Sequence, residues 1–376
     1  MIEYVEIRSA ATREIIGIVD TAKSIIWHEI FNGVGDFEIY APCTPENIGY
    51  LVEGNYVTRF DARNVGIIEK VNPTYNAQDG RMIVAAGRFA KSILDRRIIY
   101  KRSGNSVSST VLRGNVEAAA RTLVSNNAIN CTFDTGRNIP ELVLGVYANT
   151  TPTIVDENGN AARKQVTHDN LLTYTDSLLK EYGMGAYCGI NADLKLAYTV
   201  FAGADRSISN TAGNSPVIFS QDFDNLLSSE YVYDTTDIKN TALIGGSGEG
   251  KARYHSILKN ASITGLARRE IFVDASSHSK TYTDDDGVEQ TISDAEYDVT
   301  LKTLGMQETA KHAIVETFSG GIDLTNGSFV YGRDFFLGDI VTVQDVELGL
   351  YINPRILEVT EVQDDNGYQI NAEYGK

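Results

Sequence analysis

Six Asn-Gly or Asp-Gly pairs punctuate the chain: Asn32-Gly33, Asp79-Gly80, Asn158-Gly159, Asp286-Gly287, Asn326-Gly327 and Asn366-Gly367. Both residues of such a pair tolerate the positive φ of a tight hairpin turn, so each pair favours two adjacent antiparallel strands. Short β-rich runs lie between them: Ile15 to Val19, Ser24 to Phe31, Tyr56 to Phe60, Gly66 to Val71 and Met82 to Ala85. Near the C-terminus, Tyr368, Ile370, Ala372 and Tyr374 alternate with Gln369, Asn371 and Glu373. That period of two marks a strand with one buried face. The expected class is mainly β with helical insertions (α+β), and barrel-like closure is the natural way to protect so many strand edges.

Helices are few. Val116, Ala119, Ala120 and Leu123 follow helical spacing behind a candidate Asn115 cap. Leu171, Tyr174, Leu178 and Tyr182 form a second stripe, with Thr167 as the expected cap and Gly183 as the expected end. Ser293 and Glu296 make a capping box ahead of Tyr297, Leu301 and Leu304. Phe89 and Ile93 suggest a short helix before Arg96. The expected division is an N-terminal β-barrel-like domain over 1–100, a helix-containing α+β domain over 101–193, and a second β-barrel-like domain over 194–376. This last domain carries a helical insertion near 265–312. No internal repeat is visible.

The chain has 376 residues, 42% of them hydrophobic, enough for two or three domains and a real core. No window is apolar enough to span a bilayer, and the opening MIEYVEIRSA lacks the basic and apolar regions of a secretory signal. Cys43, Cys131 and Cys188 are far apart and share no CxxC spacing, so small buried hydrophobes are expected rather than a disulfide framework or zinc site. That usage fits assembly in a reducing cytoplasm. The formal net charge of −17 disfavours sequence-specific nucleic-acid binding, which needs Lys and Arg against phosphates.

Candidate catalytic chemistry mostly fails on inspection. Gly245, Gly250 and Lys251 fit the start of the P-loop pattern G-x-x-x-x-G-K, but Ala252 stands where a Ser or Thr must hold magnesium, and Glu249 adds negative charge where phosphates would sit. The segment reads better as a glycine-rich bend between two strands. The five histidines (His28, His168, His255, His278 and His312) match no metal-ligand spacing, and no G-x-S-x-G elbow occurs. His168 next to Asp169 reads as a polar pair at a helix start. Aligning Asp284-Asp285-Asp286-Gly287 with a calcium loop puts Tyr282 and Ser293 at its end positions, where carboxylates belong, so an exposed hairpin tip is expected. No catalytic, cofactor-binding or metal residues are therefore expected, and no cofactor. Two charged segments stand out as candidate interface residues: Asp95, Arg96 and Arg97, and Arg268, Arg269 and Glu270. Their guanidinium forks suit carboxylates of a neighbouring subunit, or equally an ordinary salt bridge within one chain. Twenty Tyr against one Trp suits half-wet protein contacts before carbohydrate.

Five motifs recur in one order. They are Gly87-Arg88-Phe89 with Leu94-Asp95-Arg96-Arg97-Ile98-Ile99; Phe201, Gly203 and Asp205-Arg206-Ser207; and Phe223-Asp224-Asn225-Leu226 with Lys239-Asn240, the Gly245 to Gly250 cluster and Arg253. Gly265-Leu266, Arg268-Arg269-Glu270 and Asp274-Ala275 follow, and Gly338-Asp339-Ile340-Val341-Thr342-Val343 closes the series. Together they resemble the tail-hub proteins of long-tailed phages, the ReqiPepy-type siphovirus family, related to the baseplate hub of contractile phages. The resemblance implies two similar barrels per subunit, a homotrimer of pseudo-sixfold symmetry, and a structural virion protein at the tail tip, assembled in the host cytoplasm. The implied partners are the distal tail protein ring, the tape-measure protein, and a spike, fibre or receptor-binding protein, with DNA passing without specific binding. A cell-wall hydrolase and a carbohydrate-binding adhesin are the alternatives.

Overall fold

The computed structural model describes residues 2–375 apart from 104–105, 150–151, 157–158, 284–287 and 323–328. The Asp284–Gly287 hairpin tip and the Asn326-Gly327 turn lie outside the described residues.

The N-terminal segment supplies eight strands: β1 (Val5–Arg8), β2 (Ile15–Val19), β3 (Ser24–Ile30), β4 (Asp36–Pro42), β5 (Tyr56–Thr58), β6 (Gly66–Ile67), β7 (Lys70–Asn76) and β8 (Gly80–Arg88). Asn32-Gly33 joins β3 to β4, and Asp79-Gly80 joins β7 to β8, as hairpin turns. A short helix, α1 (Pro45–Tyr50), follows β4 without an obvious apolar stripe; Thr44 caps it by accepting from Asn47 N, and Pro sits in its first turn. After β8, Ala90–Arg96 forms a 3-10 helix.

The middle segment holds α2 (Val116–Val124) and α3 (Leu171–Glu181). Asn115 caps α2 by accepting from Ala118 N. Asn170, rather than Thr167, caps α3: its side chain accepts from Thr173 N, while His168 adopts φ 63° and turns the chain just before it. Gly183, at φ 66°, follows the end of α3, where a left-handed residue lets the chain leave the helix. These helices share a core with the antiparallel pair β9 (Gly185–Ile190) and β10 (Leu196–Phe201).

The last segment carries β11 (Glu230–Asp234), then an insertion of three strands, β12 (Thr241–Gly245), β13 (His255–Lys259) and β14 (Glu270–Asp274). Helix α4 (Asp294–Lys311) covers one face of that small sheet through Tyr297 and Leu301. Its capping box is present: Ser293 Oγ accepts from Glu296 N, and Glu296 accepts from Ser293 N. The chain then forms β15 (Val315–Gly321) and the closing hairpin β16 (Arg355–Asp364) and β17 (Gly367–Gly375).

The main feature is an eight-stranded sheet of order β11-β15-β17-β16-β3-β4-β8-β7. Every neighbour is antiparallel. It takes four strands from each end of the chain, joined where β16 pairs with β3, with Glu358 opposite Ile30 and Val362 opposite Ile26. One face packs inward: Trp27, Phe37 and Ile39 meet the β1-β2-β5 layer, and Val359, Ile370 and Tyr374 meet a second cluster around Phe219 and Phe335. Among the described residues β7 pairs only with β8, and β11 only with β15, so both ends of the sheet are free edges.

Candidate functional site

The register defines the other face of the large sheet residue by residue. His28 lies opposite Asp36 and Thr360, Asp36 opposite Arg88, and Ala86 opposite both Glu38 and Lys70. Glu358 lies opposite Glu373, which lies opposite Ser319, which lies opposite Glu230. Side chains alternate across a strand, so all of these share one face. It is polar and acidic: Asp36, Glu38, Glu230, Asp234, Glu358 and Glu373 face Lys70, Arg88 and His28. Two carboxylates directly opposite each other, Glu358 and Glu373, weaken a sheet. Burial, then the Glu358 charge, pushes the Glu373 carboxyl up, against the opposing pull of His28. His28 stands 3.0 Å from Glu358 Oε2 and 3.4 Å from Asp36 Oδ2. Such a face gains little for stability and repels negatively charged groups.

On the inner face, a charge cluster sits at the β3–β16 seam. Arg59 donates to both oxygens of Glu361, at 2.8 and 3.1 Å, and to both of Asp61, at 3.0 and 2.9 Å. Its guanidinium lies 5.3 Å from the Trp27 ring centre. The side chains of Arg59 and Glu361 are only 3% and 5% exposed, so each needs the other to offset its desolvation. Tyr368 also donates to Glu361. Two positions along β3, Glu29 accepts from Asn64 and from Tyr331, both at 2.7 Å. Burial pushes the Glu29 carboxyl up; those two hydrogen bonds oppose it, and the Glu361 charge adds to it. These residues line a cavity of about 420 Å³ that also meets Arg63, Tyr187, Phe201 and Phe336. Each carboxylate oxygen of Glu29 and Glu361 already accepts from a side chain of this protein, which describes a fastening rather than a poised reagent.

The motifs of the sequence meet in pairs in space. Gly203 runs so close to Gly338 that a Cβ would stand 1.8 Å from its carbonyl oxygen, a contact only glycine permits. Beside it, Asp339 accepts from Arg206 Nε at 2.9 Å and from Ala204 N at 2.7 Å. Asn240 accepts from Arg269 N and donates to Ala267 O, tying the Lys239-Asn240 motif to the Arg268-Arg269-Glu270 motif. Arg253 donates to the Gly245 and Gly246 carbonyls and to Asp274. The glycine-rich segment therefore links β12 to β13, two antiparallel strands, and its carbonyls are held by an arginine. It leads through one 3-10 turn, Gly250–Ala252, into a strand and not into the α-helix that a phosphate-binding loop opens.

The six candidate interface residues fall on two separate elements. Asp95, Arg96 and Arg97 close the 3-10 helix: Asp95 accepts from Asn170 and lies 3.6 Å from Arg88, and Arg97 donates to the Arg137 carbonyl at 2.8 Å. Arg268 and Glu270 pair at 2.6 Å beside β14, and Arg269 donates to the Thr235 carbonyl. Asp95, Arg96, Arg269 and Glu270 stay exposed. The histidines are scattered: His278 is half-buried and stands 2.9 Å from the Gln165 carbonyl, and His312 ends α4 beside Asp237. Among the described residues no group of His, Cys, Asp and Glu is arranged to hold a metal ion, and no helix is long and apolar enough to cross a membrane. The sequence reading missed the Arg59–Glu361–Glu29 cluster. Its one local signal is alternation: Glu29 follows Ile25 and Trp27 on the buried side of β3, and Glu361 follows Val359 on that of β16.

Tail proteins are among the solved structures that share this fold. The tail protein from Neisseria meningitidis MC58 matches with a TM-score of 0.54 at 14% identity, over 100% of this chain and 97% of that one. The 43 kDa tail protein of prophage MuSo2 from Shewanella oneidensis matches with a TM-score of 0.56 at 12% identity, over 99% and 98%. No curated protein matches by sequence. The family model for Siphovirus ReqiPepy6 Gp37-like protein matches residues 4–376, and the chain belongs to that family.

Proposed function

We propose that the protein is a non-enzymatic virion component, the tail-tip or baseplate hub, and that three copies close a ring at the end of the tail tube. The observation that carries this reading is the eight-stranded sheet with two free edges and an open acidic face. Its strands alternate in direction and are even in number, so β7 and β11 run opposite ways. Copies related by rotation about an axis along the strands then bring β7 of one beside β11 of the next in antiparallel orientation. Such head-to-tail contacts close into a ring, and closure removes the exposed edges. Family membership and the fold shared with two tail proteins support the same reading.

In that ring the acidic face lines the channel. A wall of carboxylates repels phosphate, so DNA and tape-measure protein pass without sticking. One end of the ring meets the distal tail protein ring, and the other meets a spike, fibre or receptor-binding protein. Asp95, Arg96 and Arg97, and Arg268, Arg269 and Glu270, are the proposed charged contacts between subunits. Sedimentation of the purified chain, alone and with tube-end protein, tests the reading. A species of three times the chain mass is expected. A stable monomer that clears a peptidoglycan suspension or binds a glycan array would refute it.

A further inference from the structure

The insertion between β11 and β15 folds around a core of its own. Ala242, Ile244, Ala275, Ile292, Tyr297 and Leu301 are buried together, and none of them belongs to the other three apolar clusters. Two strands side by side carry it: Asp234, the last residue of β11, lies opposite Val315, the first of β15. Just beyond them, Lys239 N donates to the His312 carbonyl at 2.9 Å, and His312 Nδ1 stands 2.7 Å from Asp237 Oδ2. The result is a narrow neck at the edge of the large sheet. Away from the neck, α4 leans on α3 and on strand Arg163–Val166 of the middle segment. No ion pair between described residues crosses that joint; the insertion's own pairs, such as Arg253–Asp274, Lys280–Asp294 and Lys302–Asp298, stay inside it. His278 Nε2 stands 2.9 Å from the Gln165 carbonyl, whereas Arg163 reaches Thr300 Oγ1, and Arg113 the Tyr282 hydroxyl, only at 3.4 Å. The last two contacts are long and weak. Arg113 and Arg163 also lie directly opposite each other in their ladder, a like-charge pairing that destabilises the surface on which the insertion rests.

We propose that the insertion is an arm that pivots on this neck, and that His278 is the latch holding it against the middle segment. The latch is firmly mounted on the arm: His278 N donates to the Ala275 carbonyl, and the His278 carbonyl accepts from the Tyr297 hydroxyl in the arm's core. Because the cores on the two sides share no residue, opening the joint leaves both whole, as hinge motion of a packed unit requires. A proton on the imidazole is the release. Burial pushes the His278 imidazole down, against the opposing pull of the Gln165 carbonyl and the Asp169 charge. The latch is therefore full above the ordinary imidazole range and is lost as pH falls through the lowered value. The charged groups around it are Asp169 and His168 from the middle segment and Lys311 from α4, while Lys280 on its own segment is turned to Asp294. Desolvation raises the Asp169 carboxyl, against the pull of His278, Lys311 and His168, so a proton there tightens the joint instead. Loosening in acid thus singles out the histidine.

The test is a spin-label distance measurement on the full chain, with labels at Lys180→Cys on α3 and Leu266→Cys on the arm, both exposed positions, in a Cys43→Ser background. Labelled chains are diluted with unlabelled ones, so that only distances within one chain are read, whatever its assembly. One distance is expected at about pH 8. Towards about pH 5 a longer population should grow, by at most about tenfold per pH unit, the limit set by one proton. His278→Gln keeps a donor for the Gln165 carbonyl and cannot take the proton, so it should hold the single distance at both. One unchanged distance in the parent chain overturns the pivot. A longer population in His278→Gln equal to the parent's overturns the histidine as the latch. A broad spread with loss of helical circular dichroism is unfolding of the insertion, and overturns the rigid arm.

Discussion

The Arg59–Glu361 pair offers a quantitative test of how the two ends of the chain are fastened. Arg59→Met removes a guanidinium that is 3% exposed and contacts Glu361, Asp61 and Trp27. Glu361, 5% exposed, is then left with Tyr368 as its remaining side-chain donor. Stranding a buried partner in this way costs about 3–5 kcal/mol. Removing both charges, as Arg59→Met with Glu361→Leu, takes the stranded carboxylate away and leaves two smaller losses. Asp61 is 38% exposed and rehydrates, at a cost of about 0–1 kcal/mol. The Tyr368 hydroxyl loses its acceptor, at about 1–3 kcal/mol. The double variant should therefore be as stable as Arg59→Met alone or more so, and the two single changes should be far from additive in a double-mutant cycle. Urea unfolding followed by tryptophan fluorescence reports directly, since Trp27 is the only tryptophan and touches the pair. All four proteins must be compared at one concentration, because association shifts apparent stability. A cost below about 1 kcal/mol for Arg59→Met, or strictly additive single changes, would show that the pair is solvated in solution and does not hold the seam.

Three further outcomes are expected. The folded-state pKa of Glu29 lies above its unfolded value, so its contribution to stability is full at acid pH and is lost as pH rises through the elevated pKa; Glu29→Gln should abolish that slope, and parallel urea midpoints for the two proteins across pH would contradict it. Cys43 is half-buried, whereas Cys131 and Cys188 are buried and burial pushes the Cys188 thiol up to about 12, so a thiol reagent should label Cys43 in the native protein and the other two only on unfolding. Arg97→Ala and Arg269→Ala should each weaken the assembly while shifting subunit stability by about 1 kcal/mol or less; unchanged trimer mass and unchanged melting in both variants would remove these residues from the interface.

Local order was legible in the sequence wherever the physics is local. The Asn-Gly and Asp-Gly turns at Asn32, Asp79 and Asn366 fix hairpins from adjacent residues alone, and the alternation of Tyr368 to Tyr374 reproduces the buried face of β17. The Ser293 capping box needs only a four-residue window. Helix α3 shows the limit. Thr167 and Asn170 are both capping residues, and the choice between them rests on the left-handed turn at His168, which the sequence does not announce. Nothing local marks the pairing of β3 with β16, because hydrophobic alternation says that a strand has a buried face and not which strand it joins. The same holds for Asp339, whose partner Arg206 lies 133 residues away, and for Arg59 with Glu361, 302 residues apart.

The junction of β3 with β16 also sets a timetable for synthesis. Ile30 leaves the ribosome more than three hundred residues before Glu358, its partner in register. At ~5–20 residues per second, β3 waits on the order of tens of seconds for the strand that completes it. Throughout that interval the nascent chain displays the hydrogen-bonding groups along one side of β3. Crowded polysomes making the same product then face an intermolecular mispairing hazard, which makes the yield of soluble subunit sensitive to expression rate and temperature.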